Sequence, residues 1–386
     1  MSDEHGPSQR GRGMTWDGYD LTRHPTILRQ RAAMTTLHEI ALLRLVALRI
    51  AGPSSATATE TVRWLTALQA QDYNGALTSV ALRTASGDRQ GVEAALNAGE
   101  IVKSWPLRGT LHLVVAEDLP WMLNFGAPRV VASAAGRRAQ LGLDMSLLEH
   151  ARQLAVQALA GGHLLRREDL LAVWNEGGLV TAGQRGYHML WHLAQTGTLC
   201  FGPVRDGEQR VVLVDEWIPH PRRPEREEAL GELAWRYFRS HGPATVKDFT
   251  RWTNLVAADV RAGLALARPR LARLDVDGVE HFMDPQTPDL LDAHRRRARD
   301  VFLLPGFDEF ILGYQDRRAA VPAEFADRIV PGGNGVFRPT IVSDGEVVGT
   351  WKHAGRGTKR TVAATPFRSF PDEVAEAIAH VYAALP

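Results

Sequence analysis

The spacing of hydrophobic residues along the chain changes in the same order three times, from helical periodicity to strand alternation. In the first cycle, apolar residues recur at helical spacing from Thr35 and again from Thr59, as on the buried face of a helix. Residues 78–83 have strand-like composition, and residues near 92–98 predict another helix. Two alternating segments joined by a short turn then predict a β-hairpin over residues 101–107 and 109–115.

The second and third cycles repeat this order. Three predicted helices in the second cycle are followed by two strands around a loop, over residues 147–159, 167–174, 184–196, 199–201, 202–209 and 210–214. The third cycle has the same elements over residues 225–241, 246–253, 257–267, 272–276 and 279–282. Helix, helix, helix, strand, loop, strand is the order of a winged helix-turn-helix.

The second helix of each cycle carries a tryptophan four or five positions after an acidic residue. The three pairs are Glu60 and Trp64, Asp169 and Trp174, and Asp248 and Trp252. A buried tryptophan on a short helix explains the pattern without any function. The pattern supports three copies of one module at irregular spacing, which indicates tandem duplication rather than a solenoid.

From about residue 300 the pattern changes to short strand-like segments. Residues 335–342 and 346–351 flank the turn Ser343-Asp344-Gly345 and predict a hairpin, residues 360–364 add a strand, and residues 371–384 a helix. We therefore predict a small β-barrel or sheet domain capped by a helix.

The predicted fold class is α+β, with three tandem winged-helix modules and a C-terminal β-barrel-like domain. A flexible polar tail is predicted at residues 1–32. Three winged helices follow at residues 33–125, 126–222 and 223–298, and the first of them carries the candidate catalytic motif described below. The β-rich domain is predicted at residues 299–386.

Composition narrows the function classes. The 386 residues are 45% apolar, as in soluble globular proteins, and no apolar run reaches the roughly 20 residues that span a bilayer. The N-terminus lacks the apolar core of a signal peptide, so we expect a cytoplasmic protein. The net charge of +1 provides no global basic field, although a DNA channel needs only local positive charge.

Metal and disulfide chemistry have little support. Cys200 is the single cysteine and lies in an apolar run, so we expect a buried structural thiol. His188 and His192 have the spacing of a zinc pair, but no third ligand is evident. The sequence has no phosphate-binding loop, nucleophile elbow or dinucleotide fingerprint. We therefore expect no cofactor and no metal.

One polar segment directly follows an apolar helix. In Gln69-Ala70-Gln71-Asp72, an extended backbone would direct both glutamine side chains to the same side, where two amides can hold one water molecule. The alternative is a polar helix C-terminus capped at Asn74-Gly75, with Asp72 in a capping or ion-pairing role.

The chain resembles the AlkZ-like DNA glycosylases, a bacterial family of tandem winged helices with a C-terminal β-barrel. The resemblance spans roughly residues 36–385 and is carried by residues 68–72, 105–113, 304–317 and 334–342. The family's catalytic signature is Gln-apolar-Gln or Gln-apolar-Asp, and Gln69-Ala70-Gln71 matches the first form. The resemblance therefore implies that Gln69 and Gln71 are catalytic. It also implies the branch associated with antibiotic self-resistance, whose lesions are bulky alkyl adducts on purines.

The chemistry of such a lesion suits two neutral amides. A purine alkylated at N7 of guanine or N3 of adenine is cationic and already a good leaving group, so the enzyme mainly needs a positioned water and a polar surface near the sugar cation. We predict a monofunctional DNA glycosylase that acts on alkylated duplex DNA in base excision repair or antibiotic self-resistance. The alternative is a non-enzymatic winged-helix DNA-binding protein or regulator.

Five residues are predicted to contact DNA: Arg108, Thr110, His112, Lys352 and Arg356. The alternative for His112 is a place on the polar face of a strand. Asp308 and Glu309 are predicted to anchor domains to one another, with a catalytic pair as the alternative. The expected partner is double-stranded DNA with alkylated bases, bound by a monomer that associates with the nucleoid and not with membranes.

Overall fold

The computed structural model describes residues 36–355, 357 and 360–386; the predicted tail of residues 1–32 lies outside them. Within this part of the chain, helices alternate with antiparallel hairpins, so the α+β class is confirmed. No helix in these ranges is long and apolar enough to cross a membrane.

The first unit begins at Thr36, whose side chain accepts a hydrogen bond from the Glu39 N–H and caps the first helix. Its elements are α1 (Leu37–Ala47), α2 (Ala58–Leu65), β1 (Leu68–Gln69), α3 (Tyr73–Ala81), α4 (Arg89–Asn97), β2 (Ile101–Leu107) and β3 (Thr110–Val115). Residues 78–83, predicted as a strand, instead form the end of α3 and the turn after it, so that prediction was wrong.

The second unit follows two helices that were not predicted, α5 (Leu119–Ser133) and α6 (Ala135–Gln140). The predicted helices are present. Strands replace most of the predicted loop at residues 202–209, leaving only the turn Asp206-Gly207. The elements are α7 (Met145–Leu159), α8 (Arg167–Glu176), α9 (Arg185–Gln195), β4 (Leu199–Arg205), β5 (Glu208–Leu213) and α10 (Val214–Trp217).

The third unit matches its predicted elements closely, and an additional helix follows its hairpin. The elements are α11 (Arg226–His241), α12 (Val246–Thr253), α13 (Ala257–Ala267), β6 (Ala272–Val276), β7 (Val279–Met283) and α14 (Thr287–Ala298). Helix α14 packs against α1, where Arg295 forms an ion pair with Glu39. The first and third units therefore contact each other directly.

The C-terminal part is an open four-stranded antiparallel sheet covered by a helix. The strand order is β11-β10-β9-β8, and in the described residues the outer strands β8 and β11 do not pair, so no closed barrel forms. The elements are β8 (Phe302–Leu304), α15 (Glu309–Leu312), α16 (Ala326–Ile329), β9 (Thr340–Ser343), β10 (Glu346–Ala354), β11 (Thr361–Pro366) and α17 (Asp372–Ala383).

Sheet pairing joins the first two units. Their strands form one five-stranded sheet in the order β1-β3-β2-β4-β5, with Lys103 opposite Phe201 at the junction. The largest hydrophobic cluster includes residues of the first unit, the third unit and the C-terminal part. The predicted division of the chain stays a prediction. Helix α5 runs through the predicted boundary between the first and second winged helices, at residues 125 and 126.

Candidate active site

The segment between α2 and α3 is an extended strand edge and not the end of a helix. Leu68 pairs with Leu113, and Gln69 with His112. The Ala70 N–H then donates to the Leu111 carbonyl oxygen at 2.8 Å. Residues two apart on an extended chain face the same side, so the helix-end alternative was wrong. Both Gln69 and Gln71 hydrogen-bond to β3 or to the turn before it.

Gln69 is 7% exposed and is held from two directions. Its Oε1 accepts a hydrogen bond from Arg108 Nη2 at 3.2 Å. Its backbone N–H donates to Glu309 Oε1 at 3.3 Å. The guanidinium can only donate, which fixes the orientation of the Gln69 amide.

Gln71 lies at the rim of the site. It is exposed, and its Oε1 accepts a hydrogen bond from the Leu111 backbone N–H at 3.0 Å. A carbonyl oxygen has two lone pairs, so each glutamine retains one acceptor position for a further ligand. Neither amide nitrogen has a hydrogen-bond partner among the described residues.

Arg108 and His112 form the floor beside Gln69. His112 is fully buried; its Nδ1 lies 2.8 Å from the Thr110 carbonyl oxygen and its Nε2 lies 3.0 Å from Arg108 Nη2. The carbonyl only accepts and the guanidinium only donates, so the ring is neutral with its proton on Nδ1. Burial, and then the charge of Arg108, hold the pKa of His112 well below its ordinary value.

Arg108 is the charged member of this floor. Its Nη1 also donates to the Trp252 carbonyl oxygen, which links the first unit to the third. Burial lowers the pKa of Arg108 to about 10, and the nearby charge of Glu309 counteracts that shift. Arg108, which is half-buried, therefore remains protonated near neutral pH.

Glu309 is fully buried and connects three parts of the chain. Besides the Gln69 N–H, its carboxylate accepts from Trp252 Nε1 at 3.0 Å and from His241 Nε2 at 3.2 Å. Three donors therefore converge on one carboxylate directly beneath the glutamine segment, and they fix the backbone position of Gln69 relative to α11 and α12.

Asp308 has a separate anchoring contact. It forms a two-pronged ion pair with Arg83, with both N–O distances 2.9 Å, and accepts from Ser79 Oγ at 2.5 Å. Burial alone would raise the pKa of Asp308, but Arg83 and Ser79 lower it on balance. The contact ties α3 to the start of α15 and provides the domain anchoring predicted from the sequence.

The other predicted residues are placed as follows. Thr110 is half-buried in the strand that follows the Arg108 turn. Lys352 is exposed on β10, and no contact among the described residues joins it to Gln69. Arg356 lies outside the described residues. Asp72 caps α3 by accepting from the Gly75 N–H at 3.1 Å.

His112 is placed differently from the prediction. Its ring is inaccessible and both nitrogens have partners, so the predicted phosphate contact would require the ring to leave this position. In the described ranges no group of three potential ligand side chains surrounds a metal position, and Cys200 is buried.

Trp252 and His241 were missed as site residues. The indoles of Trp64 and Trp174 donate to carbonyl oxygens of the preceding helix, at Ala47 and Ala151, whereas Trp252 donates to Glu309. The repeated tryptophan was visible in the sequence. Its different partner in the third unit was not, because Glu309 is 57 residues away in the chain.

In this chain of helix-hairpin units, two amides are fixed on a strand edge, beside the half-buried guanidinium of Arg108 and above the buried carboxylate of Glu309. A family model described as "DNA glycosylase AlkZ-like" matches residues 62–385. The chain belongs to this family, and it is a DNA N-glycosylase.

Two similar proteins come from Streptomyces sahachiroi. One, named an interstrand DNA cross-link repair glycosylase, is 28% identical over 309 residues, which cover 77% of this chain and 82% of the relative. The other is a solved structure named DNA glycosylase AlkZ, with a TM-score of 0.75 and 23% identity over 91% of this chain and 96% of that one. At that identity the structural match shows the fold.

Proposed function

We propose that this glycosylase hydrolyses the N-glycosidic bond of alkylated purines in duplex DNA, at N7-guanine or N3-adenine adducts, and leaves an abasic site without cutting the strand. Bulky and cross-linked adducts are included, in keeping with the name of the cross-link repair relative. The observation that carries the proposal is the pair Gln69 and Gln71. Their amide oxygens are fixed by Arg108 and by the Leu111 N–H.

In the proposed mechanism, a water molecule donates to the free lone pairs of the two amide oxygens. Its own lone pair then points to the sugar carbon, and the proton that the water loses as the new C–O bond forms passes to solvent. An alkylated base leaves as a neutral molecule, so no strong acid is needed, and the two amide dipoles stabilise the sugar cation that forms. Gln71, which is exposed, contacts the DNA first, and Gln69 lies beneath it.

Glu309 has an electrostatic role in this proposal. The guanidinium of Arg108 lies beside Gln69 and would repel the positive charge that passes from base to sugar. The buried carboxylate of Glu309 offsets that charge while it holds the Gln69 N–H. We assign Arg108, His112 and Glu309 as positioning residues, because each acts through Gln69 and not through contact with the sugar.

We further propose that the three helix-hairpin units are winged helices that enclose the duplex as a monomeric clamp, with the divisions predicted from the sequence. The recurring Trp–carbonyl contact in the first two units supports the repeat. Thr110, Lys352 and Arg356 are proposed to contact DNA, and Arg108 to do so only through the groups that it orients.

Excision from alkylated duplexes tests the proposal. Wild-type protein should produce alkali-labile sites in DNA with N7-methylguanine, and no strand breaks before alkali. Under single-turnover conditions Gln69→Ala or Gln71→Ala should lower the rate by about tenfold to a hundredfold, with DNA affinity within about twofold. Gln71→Glu should retain activity because a carboxylate can hold the water, whereas Gln71→Leu should not. Parent rates in both alanine variants would show that the centre lies elsewhere.

A further inference from the structure

The hairpin turn that carries Arg108 is enclosed by two helices from later in the chain. A Cβ on Gly109 would lie 2.9 Å from Val130 Cγ1 of α5 and 3.8 Å from Nε2 of Gln195, the last residue of α9. Helix α9 also packs against β2, the strand that leads into the turn. Gln195 is therefore a residue of the second unit that lies beside the turn of the first.

The side chain of Gln195 is buried and has no hydrogen-bond partner. The residue is 2% exposed, and neither Nε2 nor Oε1 bonds to any described residue. Burial of an amide without a partner is unfavourable, and an apolar side chain of the same length would avoid this penalty. The packing of α9 therefore does not explain why an amide lies here.

The turn beside Gln195 has polar groups that an amide can satisfy. Arg108, Gly109 and Thr110 are half-buried, and the backbone groups of Arg108 and Gly109 have no hydrogen-bond partner among the described residues. Such groups bond to water while the turn faces solvent. A duplex bound at Gln69 would cover the turn and displace that water, so the turn would then need partners from the protein.

We propose that Gln195 is a positioning residue for excision: in the DNA complex its amide hydrogen-bonds to the backbone of the Arg108–Gly109 turn and holds Arg108, and through it Gln69, in the reactive position. Nε2 donates to a carbonyl oxygen, or Oε1 accepts from an N–H. Arg108 already orients the Gln69 amide oxygen, so a fixed turn also fixes that oxygen. The proposal rests on the proposed function insofar as Gln69 and Gln71 form the catalytic centre.

The first test compares stability with activity in Gln195→Met, which keeps the length of the side chain and removes the amide. The midpoint of urea unfolding of the protein alone should rise, because an unpaired buried amide is lost. Single-turnover excision from an N7-methylguanine duplex should fall by about tenfold at saturating enzyme, or about 1.4 kcal/mol in activation free energy. DNA affinity should also fall, because the wild-type amide gains its partner in the complex.

Thr287→Val is the matched control. The Thr287 hydroxyl, at the start of α14, is also buried without a partner among the described residues, and α14 packs against α1. This change should raise the urea midpoint and leave excision unchanged. Gln195→Asn, whose amide is one methylene shorter, is the second variant if Gln195→Met folds poorly. It should slow excision without raising the midpoint.

A double-mutant cycle tests whether Gln195 acts through Arg108. In an Arg108→Met background, Gln195→Met should have little further effect on excision, because the side chain that it positions is gone. Losses that multiply in the double variant would overturn the proposal, as would an unchanged excision rate in Gln195→Met. A lower urea midpoint for Gln195→Met would also overturn it, since the amide would then already have partners.

Hydrogen exchange distinguishes this proposal from the proposed function, because it requires no excision. With an unmodified duplex, exchange of the backbone amides of residues 107–111 should slow on DNA binding more in wild-type protein than in Gln195→Met. Equal slowing in the two proteins rejects the Gln195 contact, even if wild-type protein excises N7-methylguanine. A difference in slowing without any excision by wild-type protein rejects the proposed function and supports the contact with the turn.

Discussion

Two oppositely charged residues reach Gln69 from different parts of the chain. Arg108 donates to its amide oxygen, and Glu309 accepts from its backbone N–H. A buried charge is costly unless it is paired or hydrogen-bonded, and Glu309 meets this condition through Trp252 and His241. The glutamine is therefore held in one orientation before any substrate arrives, which would reduce the reorganisation needed during the proposed reaction.

Replacement of Glu309 by glutamine tests its electrostatic role. We expect Glu309→Gln to lower single-turnover excision by about tenfold or more, since the charge that offsets Arg108 is lost. The second measurement is affinity for two duplexes: one with 2′-fluorinated N7-methylguanine, whose glycosidic bond resists hydrolysis, and one of the same sequence without the methylated base. Glu309→Gln should weaken binding to the methylated duplex more than to the other. A purely structural role would lower both affinities equally.

Asp308→Asn is the matched control, because Asp308 is equally buried but does not contact Gln69. Breaking its pair with Arg83 should lower the free energy of unfolding by about 3–5 kcal/mol. Excision per folded molecule should stay near the parent rate. A loss as large as that of Glu309→Gln would contradict the separate roles assigned to these neighbours.

The neutral His112 ring predicts a pH dependence of stability. Its folded-state pKa is well below the ordinary value, so between the two pKa values only the unfolded chain binds the proton. The free energy of unfolding should therefore fall as pH drops below about 6.5, by up to about 1.4 kcal/mol per pH unit. Urea unfolding from pH 7.5 to 5.5 measures the slope. His112→Asn should reduce the slope, whereas His163→Asn on the surface should not.

Four hairpin turns share one backbone conformation, with positive φ at both central residues. Three have Asp before Gly, at Asp206-Gly207, Asp277-Gly278 and Asp344-Gly345, and the fourth is Arg108-Gly109. Asp tolerates the left-handed region far better than Arg. The strained residue therefore lies at the candidate site, where its side chain is held by Gln69, His112 and Trp252.

The two glycines Gly109 and Gly278 provide an element-scale prediction. Alanine at either position adopts an unfavourable positive φ, and we expect each change to cost about 1 kcal/mol or more in unfolding free energy. A Cβ on Gly109 would also lie 2.9 Å from Val130 Cγ1, whereas one on Gly278 meets nothing within 4 Å. Gly109→Ala should therefore displace Arg108 and slow excision, while Gly278→Ala should lower stability alone. Equal excision rates would show that the turn does not position the site.

Elements set by interactions between residues close in the chain were predicted from the sequence, and features that depend on distant residues were missed. The hairpins and amphipathic helices were predicted because their signals are local, as with Asp277-Gly278. Residues 78–83 were misread because Ser79 and Arg83 turn inward to Asp308, more than 200 residues later. Helix α5 was missed, with a proline inside it at Pro128. Gln69 and Gln71 were predicted to be catalytic from family resemblance and stay a prediction, whereas the contacts of Trp252 and His241 with Glu309 form only on folding.

At the scale of the whole molecule, the glutamine segment lies where three parts of the chain meet. The first unit supplies β1 and β3, the third supplies Trp252 and His241, and the C-terminal part supplies Glu309. The second unit is connected through the shared sheet at Lys103 and Phe201. If several units bind one duplex, the contacts between units would therefore couple DNA binding to the position of the glutamine segment.

The salt dependence of DNA affinity tests whether the protein binds the phosphate backbone. With a net charge of +1, attraction to DNA must come from local basic side chains. Six phosphate contacts would weaken binding by about a thousandfold between 50 and 200 mM salt. Lys352→Gln should reduce the slope of log affinity against log salt by about one unit for any sequence. Arg152→Gln is the matched control, because Arg152 already pairs with Glu149 at 2.7 Å and should leave the slope unchanged. Affinity that hardly changes with salt would mean that the protein does not bind the phosphates of the duplex.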